Sequence, residues 1–447
     1  EFSTGTVKMG NATLSSKGYA VPAYSYLRKY GDFSMWDIYR AELPLYSLIT
    51  PKMSGEMMQS LVQMYKEGGW MPIFPCWNSY TAAMIGDHAS AALADAYVKG
   101  IRNFDAAKAY EGMRLNAFST PYLAKDYRVG KGRRAINSYM DNGYIPLEDM
   151  VEEAFHTNEQ TSRTLEYAYD DYAVAQMAKA LHDSCQDAAL RQKYLEDYND
   201  LMRRSENWRN VINPATGWAD GRYENGKWEN NEDLVHRKSY ITEGATCHYT
   251  WYVPQNPEGL FEVIRNSKPM DKQEKQIEKT ERKMEKKGET PVRNEKVIAR
   301  LDKMFDNGWY WHGNEPCHQV AYLYDAAGAP EKTQERVHHI LQTEYNDTPG
   351  GLSGNDDAGQ MSAWYVFSSI GFYPVCPGTP YYYIGTPSFD KVTLNLENGR
   401  KFILSADRQH IDDYLIQSVT LNGKPLGDYR LSHQQILTGG ELHFQMK

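Results

Sequence analysis

The 447-residue sequence predicts a mainly α fold, a toroid of helical hairpins followed by a C-terminal β-strand module. Three observations carry this expectation. Up to about Ser369, one segment after another places apolar residues at helical spacing; polar and aromatic loops alternate with those segments; and after Pro377 the period switches to two. "SGEMMQSLVQMYKEGG" offers Ser54 as N-cap, an apolar face through Met57, Leu61, Met64 and Tyr65, and Gly68 as its stop. "ASAALADAYVKG" repeats the pattern through Ala89, Ala92, Leu93, Ala96 and Tyr97 to Gly100, and "LEYAYDDYAVAQMAKAL" does so through Leu165, Ala168, Tyr169, Tyr172, Gln176 and Ala180. Loops such as "FPCWNSYTAAMIGDH" and "NPATGWADGRYENGKW" are of the kind that carries function on a helical scaffold.

"YYYIGTP", "KVTLNLEN", "KFILSAD", "IQSVTLNG" and "ELHFQMK" then alternate as short strands, with turns at "NG", "GKPLG" and "GG". The division falls at 1–376 and 377–447, and strands this few lead us to expect a partner sheet supplied from elsewhere. One segment stands apart, Ser267 to Lys296, where charges of both signs alternate. Asp271 with Lys275 and Glu278 with Arg282 stand at i,i+4, and a thin stripe of Met270, Ile277 and Met284 predicts an exposed helix docked lightly on the domain.

A formal charge of −9 argues against a nucleic-acid backbone or an anionic membrane surface as main partner. No apolar run is long enough to span a bilayer. The opening "EFSTGTVKMG" has neither an initiator Met nor the regions of a signal peptide, so localisation is not readable from it. Five dispersed cysteines without a C-x-x-C pair fit neither a disulfide framework nor a zinc site. The 34 Tyr and ten Trp supply apolar faces with polar edges, which suits sugar rings as well as helix packing.

Five stretches are chemically loaded. "DFSMWDIYRAELP" groups Trp36, Asp37 and Arg40, either a structural ion pair or an aromatic floor with a carboxylate for sugar hydroxyls. "MIGDHASAALADAY" puts Asp87 and His88 at a helix start, where capping competes with substrate contact. In "YITEGATCHYTWYVPQNPEGL", Glu243 stands among apolar and aromatic residues, and burial there would raise its pKa as a general acid requires. "WYWHGNEPCHQVAYLYD" compresses Trp309, Trp311, His312, Asn314, Glu315 and His318 into ten positions, with Asn314 and Glu315 offering the hard oxygens that Ca²⁺ accepts. Finally, "GGLSGNDDAGQMSAWYVFSSIGFYPVCPG" sets Asn355, Asp356 and Asp357 before an aromatic helix, as caps or as holders of a proton, a water or a cation. A protonated and an ionised carboxyl flanking a bond are the minimum set for glycoside hydrolysis.

Taken in order, "FSMWDIYR", "GGWMPIFPCWN", "MIGDHA", "TLEYAYDDYAVAQMA", "YITEGATCHYTWYVPQNPEGL", "GNEPCHQVAYLYDAAG" and "GNDDAGQMSAWYVFSSIGFYPVCPG" resemble the catalytic part of glycoside hydrolase family 92, the calcium-dependent exo-α-mannosidases. The resemblance spans nearly the whole chain. It implies an (α/α)6 toroid with returning strands, and an N-terminal β-sandwich domain absent from this chain. It implies hydrolysis of terminal α-mannosides of a mannose-containing glycan with inversion, Glu243 as general acid and Asp357 as general base, with the neighbouring Asp356 a further catalytic candidate. Asn314 and Glu315 match the family's calcium-binding stretch, with Asn355 a further candidate ligand; Trp36, Asp37, Asp87, His88, Tyr310 and Trp311 are candidate sugar contacts. Members specific for α-1,2 linkages carry a His-Glu pair where Tyr310 and Trp311 stand, so another linkage, such as α-1,3, is expected. The charged insertion is expected to border the leaving-group side. Secretion, to a periplasm or a cell surface, follows from the substrate class. The alternatives are a catalytically silent mannan-binding protein of the same fold, or a phosphorylase, for which no phosphate loop is present.

Overall fold

The computed structural model describes residues 4–8, 26–121, 123–150, 156–289 and 291–447. A short hairpin of β1 (Thr4–Lys8) and β2 (Tyr26–Tyr30) precedes the helices α1 (Met35–Ile38), α2 (Glu42–Ile49) and α3 (Pro51–Gly68). α3 starts three residues before the expected cap at Ser54, because Pro51 occupies the first turn, where its missing N–H costs nothing. It stops at Gly69, whose φ of 80° closes the last turn in the left-handed region. There follow a hairpin of β3 (Phe74–Cys76) and β4 (Ser79–Thr81), then α4 (His88–Val98), α5 (Ala106–Phe118), α6 (Ala124–Arg128), α7 (Ile136–Asn142), α8 (Gln160–Ser184) and α9 (Ala188–Arg204). After a small ladder of β5 (Ile212–Asn213) and β6 (Trp218–Ala219) come α10 (Thr246–Tyr249), α11 (Pro257–Asn266), α12 (Lys272–Glu285), α13 (Glu295–Asp306), α14 (Leu323–Ala326), α15 (Pro330–Thr343) and α16 (Gln360–Ile370).

Burial sorts these helices into two layers. α4 is buried on every face from His88 to Tyr97, and α8 is buried almost throughout from Gln160 to Ala178, so both are inner helices. α9 buries only Tyr194, Asp197, Leu201 and Arg204, one stripe at helical spacing, and packs outside α8. Charged residues on the inner helices are paired, as buried charges must be: Asp171 meets Arg133 at 2.6 Å and Arg204 at 2.9 Å.

The C-terminal strands form a five-stranded sheet and a three-stranded one. The first has the order β12 (Lys424–Pro425), β11 (Ile416–Leu421), β14 (Gly440–Met446), β10 (Lys401–Asp407), β9 (Lys391–Asn395), with β10 and β14 parallel. The second runs β13 (Arg430–Ser432), β8 (Tyr381–Ile384), β7 (Phe372–Tyr373). β7 lies before the expected division at 377 and pairs with β8 beyond it. Nor does the sheet keep a core to itself: Phe402, Leu404, Leu442 and Phe444 share one cluster with Leu45 and Leu48 of α2, Val337 and Ile340 of α15, and Trp364 and Phe367 of α16.

The insertion helix α12 is anchored by charge rather than by its apolar stripe. Glu274 is buried against Arg300 of α13 at 3.2 Å, Glu278 reaches the buried Lys296 at 2.8 Å, and Asp271 caps α12 and pairs with Lys303. Met270 is 37% exposed. Glu274 and Glu278 of α12 thus bond to α13, and Lys296 and Arg300 of α13 bond in turn to the carbonyls at 265–268, so these contacts lend no support to the expectation that the insertion borders the site.

A shared core predicts a shared unfolding transition. All ten Trp precede residue 371, so their fluorescence reports the helical part, with Trp364 alone in the core that the sheet shares. Phe444→Ala, in the sheet, removes a fully buried ring at a cost of about 3–5 kcal/mol and is expected to lower the Trp-monitored midpoint as much as the far-UV one. Two separated transitions would show an independent module.

Candidate active site

Three distant stretches converge. Asp37 sits in the single turn of α1; Glu315 opens the 3₁₀ turn Glu315–Cys317, which Pro316 favours; Asp357 opens the 3₁₀ turn Asp357–Gly359 just before α16. One carboxylate oxygen from each lies within 4.8 Å of the others. Asp37 and Glu315 are buried, and Asp357 is half-buried. Burial, with Asp37 and Asp357 beside it, pushes the Glu315 carboxyl up to about 10. Burial, with Asp357 and Glu243 nearby, likewise holds Asp37 well above the carboxylate range, opposed by the Arg40 guanidinium.

The donor set fits a hard cation. Asn314 Oδ1 and Glu315 Oε1 are buried without a hydrogen-bond partner, an uncommon state for buried oxygens. Added to Asp37 and Asp357 they make an all-oxygen set, the chemistry of a calcium site; no thiolate or imidazole belongs to the group, as zinc would favour.

The loop bearing Glu243 is fixed against this group. Thr242 N donates to Ser162 Oγ at 2.7 Å, Asn314 Nδ2 donates to the Glu243 carbonyl at 3.2 Å, and His248 accepts from Ala245 N at 3.1 Å. Glu243 itself takes a φ of 50°, and its side chain is exposed. The expected burial against apolar surface is therefore absent; its aromatic sequence neighbours Tyr240 and Tyr249 pack into the core beneath the turn instead.

The three residues of the acidic loop divide their tasks. Asn355, the further candidate ligand, is exposed beside the half-buried Asp356 and Asp357. Asp356 accepts from Ser362 N at 3.0 Å and Ser362 Oγ at 2.8 Å, tying down the start of α16. Asp357 alone enters the group, through consecutive left-handed residues: Asp357 at φ 47°, Ala358 at 57° and Gly359 at 105°. Glycine suits the last position, because its φ of 105° is strained for other residues and a Cβ there would press on Glu42 Oε1 at 2.7 Å.

Several expected sugar contacts lie behind the site. Trp36 is 2% exposed, and its indole donates to Glu166 Oε1 at 3.2 Å, so it is no open floor. Asp87 and His88 are fully buried because α4 is an inner helix. Asp87 accepts from Arg133 and Asn116, while His88 lies between Glu166 at 2.7 Å and Asp170 at 2.9 Å and stacks on Tyr39. Burial alone would push His88 down, but the two carboxylates lift it to about 9. Tyr310 stacks on Phe305, and its hydroxyl bonds His312 Nδ1 at 2.7 Å. Trp311, 49% exposed, keeps a free aromatic face.

Sequence reading passed over Glu166, Asp170 and Gln360. Glu166 joins Trp36, Tyr249 and His88 beneath the site, and Arg40 lies over the rings of Trp36, Tyr39 and Tyr252. The available signal was two acidic residues, Glu166 and Asp170, at i and i+4 and so on one face of α8.

With this geometry in place, known proteins give the context. The sequence model of the "Glycosyl hydrolase family 92 catalytic domain" matches residues 11–447. An uncharacterized secreted glycosidase of Arthroderma benhamiae is 29% identical over 91% of this chain and 50% of its own. A solved family GH92 alpha-mannosidase of Bacteroides thetaiotaomicron is 34% identical, with a TM-score of 0.78 over 94% of this chain and 50% of that one. An inverting mannosidase of that family from B. thetaiotaomicron VPI-5482 is 32% identical, with a TM-score of 0.79 over 95% and 54%. The chain thus spans about half the length of these relatives, and its mainly α toroid with a C-terminal β module is their fold over that half. It belongs to glycosyl hydrolase family 92.

Proposed function

We propose that this chain forms the catalytic part of an exo-acting α-mannosidase that hydrolyses terminal α-mannosides of glycans with inversion and with the help of calcium. The observation that carries the reading is the convergence of Asp37, Glu315 and Asp357, beside the unpartnered Asn314 Oδ1, in a chain of this family. The buried Asp37, Glu315 and Asn314 would hold the ion. Calcium there would supply positive charge to the hydroxyls of the terminal mannose and favour its distortion toward the oxocarbenium-like transition state.

Asp357 is the half-buried member, where Asp37 and Glu315 are buried. In the proposed reaction it takes the proton of that water as the water attacks the anomeric carbon. Glu243 gives its proton to the glycosidic oxygen as the bond to the leaving sugar breaks. Its open position suits a residue that meets the leaving sugar. The remaining length of the relatives is consistent with a further domain in the whole protein, for which an N-terminal β-sandwich is the proposal. Trp311 offers that sugar a stacking face, and a linkage other than α-1,2 is the favoured specificity. A secreted or surface location accords with the A. benhamiae relative and with the finding that no described helix is long and apolar enough to cross a membrane.

The experiment is incubation with α-1,2, α-1,3, α-1,4 and α-1,6 mannobiosides, with calcium and with chelator. Mannose release from at least one substrate other than the α-1,2 dimer, abolished by chelator, is expected. Binding without turnover by the whole protein would make it a mannan-binding protein instead. The two carboxylates separate kinetically. Glu243→Gln is expected to lower kcat on mannobiosides by about 10²–10⁴ but much less on aryl mannosides, whose leaving group needs no proton. Asp357→Asn is expected to lower both equally, and the opposite pattern would reverse the assignment.

A further inference from the structure

The three carboxylates sit on short turns, none on a helix long enough to hold its own position: α1 has four residues and the two 3₁₀ turns three each. One buried side chain connects all three turns. Gln360, with no exposed surface, accepts at Oε1 from Ala41 N at 2.9 Å and Glu42 N at 3.3 Å, and donates from Nε2 to His318 Nδ1 at 3.0 Å. Ala41 comes four residues after Asp37, His318 three after Glu315, and Gln360 itself three after Asp357. We infer that Gln360 is a positioning residue whose amide sets the spacing of Asp37, Glu315 and Asp357, and through it their affinity for a divalent cation and the placement of the base. The inference rests on the mannosidase reading only for that last effect.

Its chemistry suits the task. The amide is a donor at one end and an acceptor at the other, and the partners match: two backbone N–H groups face its oxygen and one imidazole nitrogen its NH₂. His318 is fully buried, and its two ring nitrogens face one acceptor and one donor. Its Nε2–H donates to the His312 carbonyl at 3.0 Å, which leaves Nδ1 as the acceptor Gln360 requires. Trp364, also on α16, donates to the His318 carbonyl at 2.9 Å and fixes the ring's backbone. Ahead of the clamp the chain runs through three left-handed residues, a conformation that persists only where its surroundings impose it. A glutamate at 360 would keep the shape and the bonds from Ala41 and Glu42 but set an acceptor against an acceptor at His318.

The test compares wild type with Gln360→Met and, since the apolar variant can fail to fold, Gln360→Glu. Crystal structures, calcium titration calorimetry and steady-state kinetics on an aryl mannoside are the readouts. Expected are carboxylate oxygens about 1 Å further apart, calcium bound about 10- to 100-fold more weakly, and kcat reduced by a similar factor at saturating calcium. A merely structural role would lower the melting temperature and leave these quantities alone; oxygens still within 4.8 Å with affinity and kcat within about twofold of wild type, below that range, would overturn the inference. If wild type binds calcium but releases no mannose, the mannosidase reading fails, and oxygen spacing and calcium affinity still decide the clamp.

Discussion

Three carboxyl groups from distant parts of the chain meet with oxygens within 4.8 Å, and this crowding of like charge is the constraint to which the surrounding structure answers. At an effective dielectric near 20, each ionised pair at that distance repels by roughly 3 kcal/mol. Three such pairs sum to roughly 10 kcal/mol, comparable to the whole folding free energy of a typical domain. The group therefore holds protons or a cation. The raised Glu315 and Asp37 express the first outcome, and the unpartnered oxygens of Asn314 and Glu315 suit the second.

Around that group the fold supplies support in layers. Arg40 lies beneath it as the nearest fixed positive charge, held by the Trp36 carbonyl and the faces of three aromatic rings. Below Arg40, Glu166 gathers the Trp36 indole, the Tyr249 hydroxyl and His88, and His88 passes the chain of contacts to Asp170 on the same inner helix. The short turns at the site can hold unusual backbone, such as Glu243 at φ 50° and Asp357 at 47°, because the inner helices α4 and α8 are packed almost throughout. Precision at the rim comes from the rigidity of the ring.

What the sequence made legible was periodicity and chemical type. The helices α3, α4 and α8 and the strands β8 to β11 and β14 stand where apolar spacing put them, and Glu315, singled out for its hard oxygens, stands in the carboxylate group. What it hid depended on tertiary environment. Asp37 looked like a sugar contact because its partners Glu315 and Asp357 are some 300 residues away. Asp87 and His88 looked like site residues because a buried charge network and an open site use the same side chains; only the position of α4 in the inner layer tells them apart. Glu243 looked buried from its neighbours in sequence, yet a turn points successive side chains in different directions. Gln360 carried no signal, since an amide at a helix start is ordinary until its three partners are in place.

The most direct measurement of the central claim is calcium titration by calorimetry on wild type and Glu315→Gln, with melting temperatures recorded in calcium and in chelator. Wild type is predicted to take up one calcium ion per chain with a dissociation constant on the order of micromolar and to melt higher when loaded. Glu315→Gln is predicted to lose about tenfold or more in affinity and most of the thermal shift. A wild-type protein that shows neither heat nor a change in melting temperature with calcium, or a Glu315→Gln variant that binds as tightly as wild type, would contradict the account.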